Sequence, residues 1–380
     1  MTNIIYRHYQ KGDDAQLAYL YMRAFQENSA TYIRTSKIQR WRYPQSPNFE
    51  PEMVQIAEDT EKEKIIGAVF VNLVEKIEIN NKSYLVGEIN DVSCHPEYTQ
   101  QGIATKLMEN AINYMKQKNC DLSSLTAGYQ GIARKKIYLR FGYEDVSRVN
   151  TYVNFPHYFR LIRDFPIATC LTPTFFYFAY LSRMSFNAKL RHNPFFQGFS
   201  HHILHNSHHE KFARLVNKLI PKYYNGYSSY SKEKLQWARK QVPHSREEPT
   251  YIIIKNQQEV IGGASLTHEK FYLSPLKTTV RLGMIHELTI NRDFFPTRNL
   301  LWKGIAYLVD KIMKAAIQRK IGVLLYKGDG NDKAVERAFR LLNFRVIKGS
   351  IFMMKRFTDV DIQQKEKPWF IPTYVSMGFP

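Results

Sequence analysis

The stretch GEINDVSCHPEYTQQGIATKLM, residues 87–108, decides the fold that this sequence predicts. An apolar strand ending near Cys94 leads into a tight turn at Gly102, and the turn opens a helix whose apolar residues recur at helical spacing. Small residues at Gly102 and Ala104 let the backbone approach an anion closely. Successive N–H groups at the start of a helix face such an anion, so this corner is typical of a phosphate-binding turn.

The same order of elements returns later in the chain. With a constant offset of 196, residues 91–94 fall on residues 287–290 and Tyr98 falls on Phe294. We interpret this as an internal duplication, with a chance match between two α/β units as the alternative. The second copy lacks the turn glycine and has Phe339 where the first copy has Tyr138.

A second motif, IARKKIYLRFGYED at residues 132–145, follows the strand–turn–helix of residues 87–108. Residues 88–143 resemble motifs A and B of the GNAT acyltransferase superfamily. The ending IYLRFGYED and the two-copy layout look most like the enhanced intracellular survival branch. The resemblance implies tandem α/β (α+β) GNAT-like domains, each with a mixed, mostly antiparallel sheet flanked by helices. It also implies an N-acyltransferase that moves an acyl group from acetyl-CoA, or another acyl-CoA, directly to an amine acceptor.

The resemblance also assigns the catalytic residues. Tyr138 matches the tyrosine that protonates the leaving thiolate, and Glu88 matches the general base that an ammonium acceptor needs. Strand alternation places Asp91 on the opposite face from Glu88, which favours Glu88. Closer tandem relatives use the C-terminal carboxylate as base, so Pro380 is the alternative.

Cofactor contacts follow from the same comparison. The family commonly has Arg or Gln three residues before the turn glycine, whereas this chain has Thr99, so the turn carries no cation. Cys94 as an acyl-accepting nucleophile competes with a small buried strand residue, which we favour. The residues expected to bind the pantetheine arm and the pyrophosphate are Val92, Ser93, Cys94, Gln100, Gln101, Gly102, Ile103, Ala104 and Thr105.

Composition limits the class of protein and its compartment. The chain has 380 residues, 44% of them hydrophobic and 23% charged, which predicts a globular protein of two or three domains. Its three cysteines have no paired spacing and its first residues do not read as a signal peptide, so we expect a cytoplasmic protein.

The net charge of +20 is unevenly distributed. Residues 1–150 hold 19 Lys and Arg against 18 Asp and Glu, residues 151–240 hold 13 against 3, and residues 241–380 hold 22 against 13. This indicates an acidic partner for residues 151–380, such as an anionic membrane surface, unless the excess only aids solubility. Nucleic acid is the less favoured partner, because the intact phosphate turn argues against a tRNA-borne donor.

The middle of the chain is rich in aromatic residues and histidines. Residues 165–182 carry no charge, and we expect a buried helix pair there, with a helix lying in a membrane interface as the alternative. His201, His205 and His208 would share one face of a helix, but neither cysteine nor aspartate accompanies them, so we expect no metal site.

These patterns predict four segments. They are a GNAT acyltransferase domain at 1–150, a helical aromatic- and His-rich connector at 151–244, a degenerate second GNAT-like domain at 245–360, and a C-terminal tail at 361–380. Two other functions stay open at this point. One is an aminoacyl-tRNA-dependent transferase of the same fold, which the positive charge suits. The other is a non-enzymatic scaffold at a membrane surface.

Overall fold

The computed structural model describes residues 3–26, 30–166, 173–204, 209–239, 250–273, 277–363 and 366–371. The strands are β1 (Ile4–His8), β2 (Ala30–Tyr32), β3 (Val54–Asp59), β4 (Lys64–Ile79), β5 (Lys82–Cys94), β6 (Leu122–Gly128), β7 (Glu144–Asn154), β8 (Phe199–Leu204), β9 (Tyr227–Ser228), β10 (Thr250–Asn256), β11 (Glu259–Leu273), β12 (Thr278–Ile290), β13 (Val323–Asp329) and β14 (Arg345–Arg356). The helices are α1 (Asp14–Gln26), α2 (Ser36–Arg42), α3 (Ile103–Gln117), α4 (Tyr158–Asp164), α5 (Pro173–Arg191), α6 (His209–Tyr223), α7 (Lys232–Arg239), α8 (Arg298–Gln318) and α9 (Lys333–Leu341).

The strands of both halves form one continuous sheet. Among the described residues it has fourteen strands in the order β1-β3-β4-β5-β6-β14-β7-β13-β12-β11-β10-β8, with β2 beside β11 and β9 beside β4. Most neighbours are antiparallel, and the pairs β5–β6 and β12–β13 are parallel. The predicted mixed α/β fold, with helices flanking the sheet, is confirmed.

The two halves exchange their last strands. β14 comes from the C-terminal half but lies between β6 and β7, with Ser350 opposite Gly128. β7 comes from the N-terminal half and pairs with β13, with Leu325 opposite Val153. Because each final strand hydrogen-bonds to the other half, neither half has a complete sheet without its partner.

The halves repeat one another closely. β5 and β12 begin 196 residues apart, at Lys82 and Thr278, and have the same length of 13 residues. Trp41 and Trp237, also 196 apart, donate hydrogen bonds to each other's carbonyl oxygens at 3.1 and 2.7 Å. This reciprocal contact is what an approximate twofold axis between the halves produces.

Within the predicted connector over residues 151–244, the structure has a strand and two helices from Phe199 onward. There β8 pairs with β10, and α6 and α7 follow in the positions that α1 and α2 hold in the first half. β8 has only a weak apolar pattern in the sequence. It is a strand because it pairs with β10, which follows much later in the chain. The boundaries at 150, 245 and 360 remain predictions.

The expected buried helix pair is wrong for the described part of α5. α5 packs against the protein core through Phe186 and Leu190, which are 6% and 5% exposed. Other large side chains of α5 are exposed to solvent, with Tyr177, Phe178 and Tyr180 each more than half exposed. Among the described residues, none of the helices is long and apolar enough to cross a membrane.

The position of α3 depends on glycines in the strands beneath it. A Cβ atom at Gly87 of β5 would lie 2.1 Å from the Met115 sulfur, and one at Gly67 of β4 would lie 2.7 Å from Ile103. The missing side chains therefore let α3 pack directly against the sheet, with Leu107, Ala111 and Met115 fully buried. This contact fixes where the helix N-terminus lies relative to β5.

Candidate active site

The site begins where β5 and β6 separate. The two parallel strands pair at three positions, the last being Glu88 opposite Ser124. β5 then continues to Cys94 and β6 to Gly128 without further pairing between them. A gap between two strands leaves backbone groups that a ligand can pair with.

A β-bulge in β5 accompanies this separation. The register between β4 and β5 shifts between Ala68 and Phe70, and Asp91 has a positive φ of 47°. A non-glycine residue in this region is strained. The bulge interrupts the alternation of side chains after Asn90, and Glu88 and Asp91 both belong to a run of residues that border the cavity. The placement of these two side chains on opposite faces stays a prediction.

Buried cations hold the bulge in place. Asp91 accepts hydrogen bonds from Tyr43 Oη at 2.6 Å, Arg34 Nη1 at 3.0 Å and Arg42 Nη2 at 3.4 Å. Burial by itself would raise the pKa of Asp91, but Arg42 and Arg34 outweigh it and hold that pKa below its ordinary value. The carboxylate is thus engaged in structure and is a poor candidate for a catalytic base.

The separated strands open into a cavity of about 590 Å³. Both halves of the chain contribute to its walls, since β13, β14 and the C-terminal segment lie on one side of it. The residues that line it are Tyr21, Phe25, Glu88, Ile89, Asn90, Asp91, Val92, Ser124, Leu125, Thr126, Ala127, Gly128, Gly131, Ala133, Arg134, Tyr138, Lys327, Ser350, Phe352 and Ile371.

Tyr138 lies on this cavity, as a proton donor to a bound thioester would have to. It ends a single turn of π-helix, Arg134–Tyr138, and packs edge-on against Tyr143 at 6.1 Å between ring centroids. Burial raises the pKa of Tyr138 to about 12. No protein group of the described residues hydrogen-bonds its hydroxyl. The phenol therefore keeps its proton at neutral pH and can offer it to a ligand.

Glu88 lies at the apex of the gap. Its side chain is 4% exposed and lines the cavity, directly opposite Ser124 on the neighbouring strand. A carboxylate here can reach a group bound between the strands. The alternative base, the terminal carboxylate at Pro380, lies outside the described residues.

The helix corner at residues 100–105 is open to solvent and lies outside the cavity wall. Gly102 caps α3 with a left-handed φ of 77°, and a Cβ there would meet nothing within 4 Å. Helix geometry leaves the N–H groups of Ile103, Ala104 and Thr105 without partners inside the helix. In the part of the chain that the structure describes, no atom comes within 4 Å of the place that a Cβ at Gly102 would take, so an anion can approach this corner.

Ser93 and Cys94 turn their side chains away from the cavity. The Ser93 hydroxyl contacts the Ala68 carbonyl at 3.4 Å, and the Cys94 thiol contacts the Tyr98 carbonyl at 3.4 Å. Burial raises the pKa of the Cys94 thiol to about 11. A thiol that keeps its proton is a poor nucleophile, which favours direct transfer over a Cys94 intermediate.

The second half has two strands that separate in the same way. β12 and β13 pair up to Ile285 opposite Tyr326 and then separate, and a small cavity of about 10 Å³ lies beside the end of β12. The start of the following helix is capped, because the Thr297 side chain accepts a hydrogen bond from the Leu300 N–H. Phe339, in the place of Tyr138, is fully buried and has no hydroxyl. The second half thus lacks both the open helix start and the phenol that the first half has.

The histidines do not form the helical set that a metal site would need. His201 and His202 lie in strand β8, and His209 begins α6 with Nδ1 2.6 Å from the Tyr251 hydroxyl. Within the described residues, no group of three His, Cys, Asp or Glu side chains could hold a metal ion. His205 and His208 lie outside the described residues.

Sequence reasoning missed the part of the cavity wall that comes from the second half. Lys327, Ser350, Phe352 and Ile371 all lie more than 180 residues from Tyr138. No local pattern marks them, because only the strand exchange brings β13 and β14 next to β6. The sequence does mark Lys327, because it is a charged residue at the end of the otherwise apolar strand IGVLLYK.

Replacing Asp91 by Asn should test the bulge. We expect the free energy of unfolding to fall by about 3–5 kcal/mol at neutral pH, because Arg34 and Arg42 would stay buried without a counter-charge. The folded-state pKa of Asp91 is depressed, so its stabilisation is present above the unfolded pKa and lost as pH falls through the folded pKa. The difference in the free energy of unfolding between wild type and Asp91→Asn should therefore shrink as the pH falls through the folded-state pKa of Asp91.

Urea unfolding over a descending pH series measures both effects. Asp359→Asn, at an exposed position, is the matched control and should change stability little. An Asp91→Asn protein as stable as the control would contradict the structural role of this carboxylate.

Comparisons with known proteins agree with this geometry. Residues 5–146 match the family model described as an acetyltransferase (GNAT) domain. The chain is 26% identical over 149 residues to the uncharacterized N-acetyltransferase YafP of Escherichia coli (strain K12), a match covering 39% of this chain and 86% of that protein.

Solved structures extend the likeness beyond the first half. Saccharomyces cerevisiae N-myristoyltransferase with bound myristoyl-CoA superposes with a TM-score of 0.69 at 10% identity, over 94% of this chain and 79% of that one. A conserved protein of unknown function from Enterococcus faecalis V583, described as a probable N-acyltransferase, gives a TM-score of 0.55 at 10% identity over 93% and 73%. At this identity the likeness concerns the fold alone.

Proposed function

We propose that this protein, an acyltransferase whose residues 5–146 form an acetyltransferase (GNAT) domain, moves an acyl group from acetyl-CoA or another acyl-CoA directly to an amine. The observation that carries the proposal is the gap between β5 and β6, which opens at Glu88 beside Tyr138. The open N-terminus of α3 lies at the end of the same strand. These are the groups that a thioester donor and an amine need.

Binding of the donor would use backbone groups. The N–H groups of Ile103, Ala104 and Thr105 would hold the pyrophosphate, with Gln100 and Gln101 adding side-chain donors at the turn. The free backbone of Val92, Ser93 and Cys94 beyond the bulge would pair with the pantetheine arm. This arrangement supplies no cation, so the affinity depends on the geometry of the turn.

The chemical step would then need three proton transfers. Glu88 takes a proton from the ammonium form of the acceptor, and the amine nitrogen attacks the thioester carbonyl carbon. The carbon–sulfur bond breaks, Tyr138 protonates the leaving thiolate, and the nitrogen gives its second proton to the Tyr138 phenolate. The products are an amide and free coenzyme A, and Glu88 releases its proton to solvent to reset.

The repeated layout supports a finer proposal, that the two halves are tandem GNAT-like units. Asp91 and Glu287, 196 residues apart, share a φ of 47° and sit at matching bulges. Arg34 contacts Asp91, and Tyr230, 196 residues after Arg34, contacts Glu287. Membership in the enhanced intracellular survival branch remains a prediction from the sequence. The tRNA-dependent transferase and the non-enzymatic scaffold are not favoured by the comparisons.

Contact with an anionic membrane surface is a separate proposal, suggested by α4 and α5. Phe159, Phe178 and Tyr180 are 79%, 62% and 61% exposed, which is unusual for large aromatic side chains. Exposed Lys189 and Arg191 lie at the end of α5, and residues 151–240 hold 13 cationic against 3 anionic side chains. Aromatic and basic residues together suit the lipid–water interface.

Alanine at Gly102 should test the phosphate turn. A left-handed backbone disfavours any side chain, so Gly102→Ala should tilt the first amides and weaken acetyl-CoA binding by about tenfold or more, the value of one hydrogen bond to a charged group. Gly12→Ala is the matched control, because Gly12 also has a positive φ, 116°, and open space around it. Calorimetric titration should show the effect in the first variant only. Equal acetyl-CoA affinity in both variants would reject the turn as the binding site.

Phenylalanine at Tyr138 should separate chemistry from binding. Loss of the proton donor should lower kcat by about a hundredfold or more while acetyl-CoA affinity stays near wild type. Thiol release during acyl transfer measures kcat. Tyr143→Phe, which removes a hydroxyl bonded to Ser123 in the same cluster, should cost stability without that kinetic loss. Unchanged turnover in Tyr138→Phe would remove this residue from the mechanism.

Vesicle co-sedimentation tests the membrane proposal. Binding should require phosphatidylglycerol in phosphatidylcholine vesicles, weaken with added salt, and fall in a Phe178→Ser, Leu181→Ser variant. The control removes exposed apolar side chains elsewhere, at Ile5 and Ile347. Protein that stays in the supernatant at low salt would count against membrane contact.

A further inference from the structure

The cavity has a second end that the proposed chemistry does not use. β13 and β14 from the C-terminal half contribute Lys327, Ser350 and Phe352 to its wall, while Glu88 and Tyr138 belong to the N-terminal half. Lys327 follows directly after the segment of β13 that pairs with β12. It is therefore placed by the strand exchange and is remote from the gap where the thioester would lie.

The charges around the cavity are mostly neutralised within the protein. Asp91 is bound to Arg34 and Arg42, and Arg134 forms a salt bridge with Asp145. Lys327 differs from them, because no carboxylate of the described residues forms an ion pair with it.

Asp329, the nearest acidic residue on the same strand, forms no ion pair with Lys327 either. Asp329 accepts hydrogen bonds from the Ser147 hydroxyl and from the backbone N–H of Trp369, both at 2.6 Å. Burial lowers the pKa of Lys327, since no negative charge nearby offsets its desolvation. Lys327 is partly exposed on the cavity wall. A desolvated cation without a partner is costly, and a bound anion would relieve that cost.

The sheet order sets how far apart the two ends are. Going from β5 to β13 crosses β6, β14 and β7, which makes four strand spacings. At about 4.8 Å each, these spacings put β5 and β13 about 19 Å apart across the sheet, and a shift along the strand direction adds to the separation of Glu88 and Lys327. One molecule that contacts both residues must therefore be elongated.

We propose that Lys327 binds an anionic group, a carboxylate or a phosphate, at the far end of an elongated amine acceptor. The inference rests on the proposed function, because it takes the amine to lie near Glu88. It names the acceptor class as an amine that carries its negative charge many bonds away. The C-terminal half would then supply acceptor recognition while the N-terminal half supplies the chemistry.

A molecular-ruler experiment tests this. The probes are linear ω-amino acids of increasing length, from short chains to those that span well over about 19 Å, each paired with the ω-amino amide of the same length. Acyl transfer from acetyl-CoA is followed by thiol release for wild type, Lys327→Met and Lys327→Arg. Methionine keeps the length of the side chain without its charge, and arginine keeps the charge.

For wild type we expect kcat/KM to favour the acid over the amide by about tenfold, and only for chains long enough to reach Lys327. Lys327→Met should lose this preference through a rise in KM for the acids, with amide turnover unchanged, and Lys327→Arg should retain it. A preference that persists in Lys327→Met, equal use of acids and amides at every length, or no acylation of any amino acid while acetyl-CoA still binds would overturn the inference. Failure of acetyl-CoA to bind would instead reject the proposed function.

Discussion

The site depends on one buried ionic contact, between Asp91 in the bulge of β5 and the guanidinium groups of Arg34 and Arg42. The bulge needs a non-glycine residue with a positive φ, which costs about 1–3 kcal/mol. The contact offsets this strain because both arginines are almost fully buried, at 1% and 2% side-chain exposure. It also ties the region around α2 to the strand that borders the cavity. Without the bulge, side-chain alternation would return, and β5 would present a different face to the gap.

Because β7 and β14 are exchanged, both halves of the chain contribute residues to the same cavity. The second half has Phe339 where the first half has Tyr138, and Thr297 caps the helix that corresponds to α3. Its strands β13 and β14 nevertheless form a wall of the open cavity in the first half. The second half therefore contributes residues to a cavity that opens in the first half.

Local features were predictable from the sequence. The turn at Gly102, the helix after it and the position of Tyr138 five residues before Tyr143 depend on short-range patterns, and the structure has them in place. The internal offset of 196 also matches β5 and β12 residue for residue.

What escaped prediction depends on distant partners. The bulge at Asp91 requires Arg34 and Arg42, strand β8 requires the edge of β10, and the cavity residue Lys327 requires the strand exchange. The uncharged run around α5 looked like a buried pair, because sequence alone does not tell whether a partner surface exists. The structure exposes Tyr177 and Phe178 instead.

We expect one open gap of the molecule, and not two, to bind a thioester carrier. Calorimetric titration of the full chain with acetyl-CoA measures this directly through the stoichiometry. We predict saturable binding of one molecule per chain, because in the second half Thr297 already caps the equivalent helix start through the Leu300 N–H. Two equivalent sites, or no binding at millimolar cofactor, would contradict it.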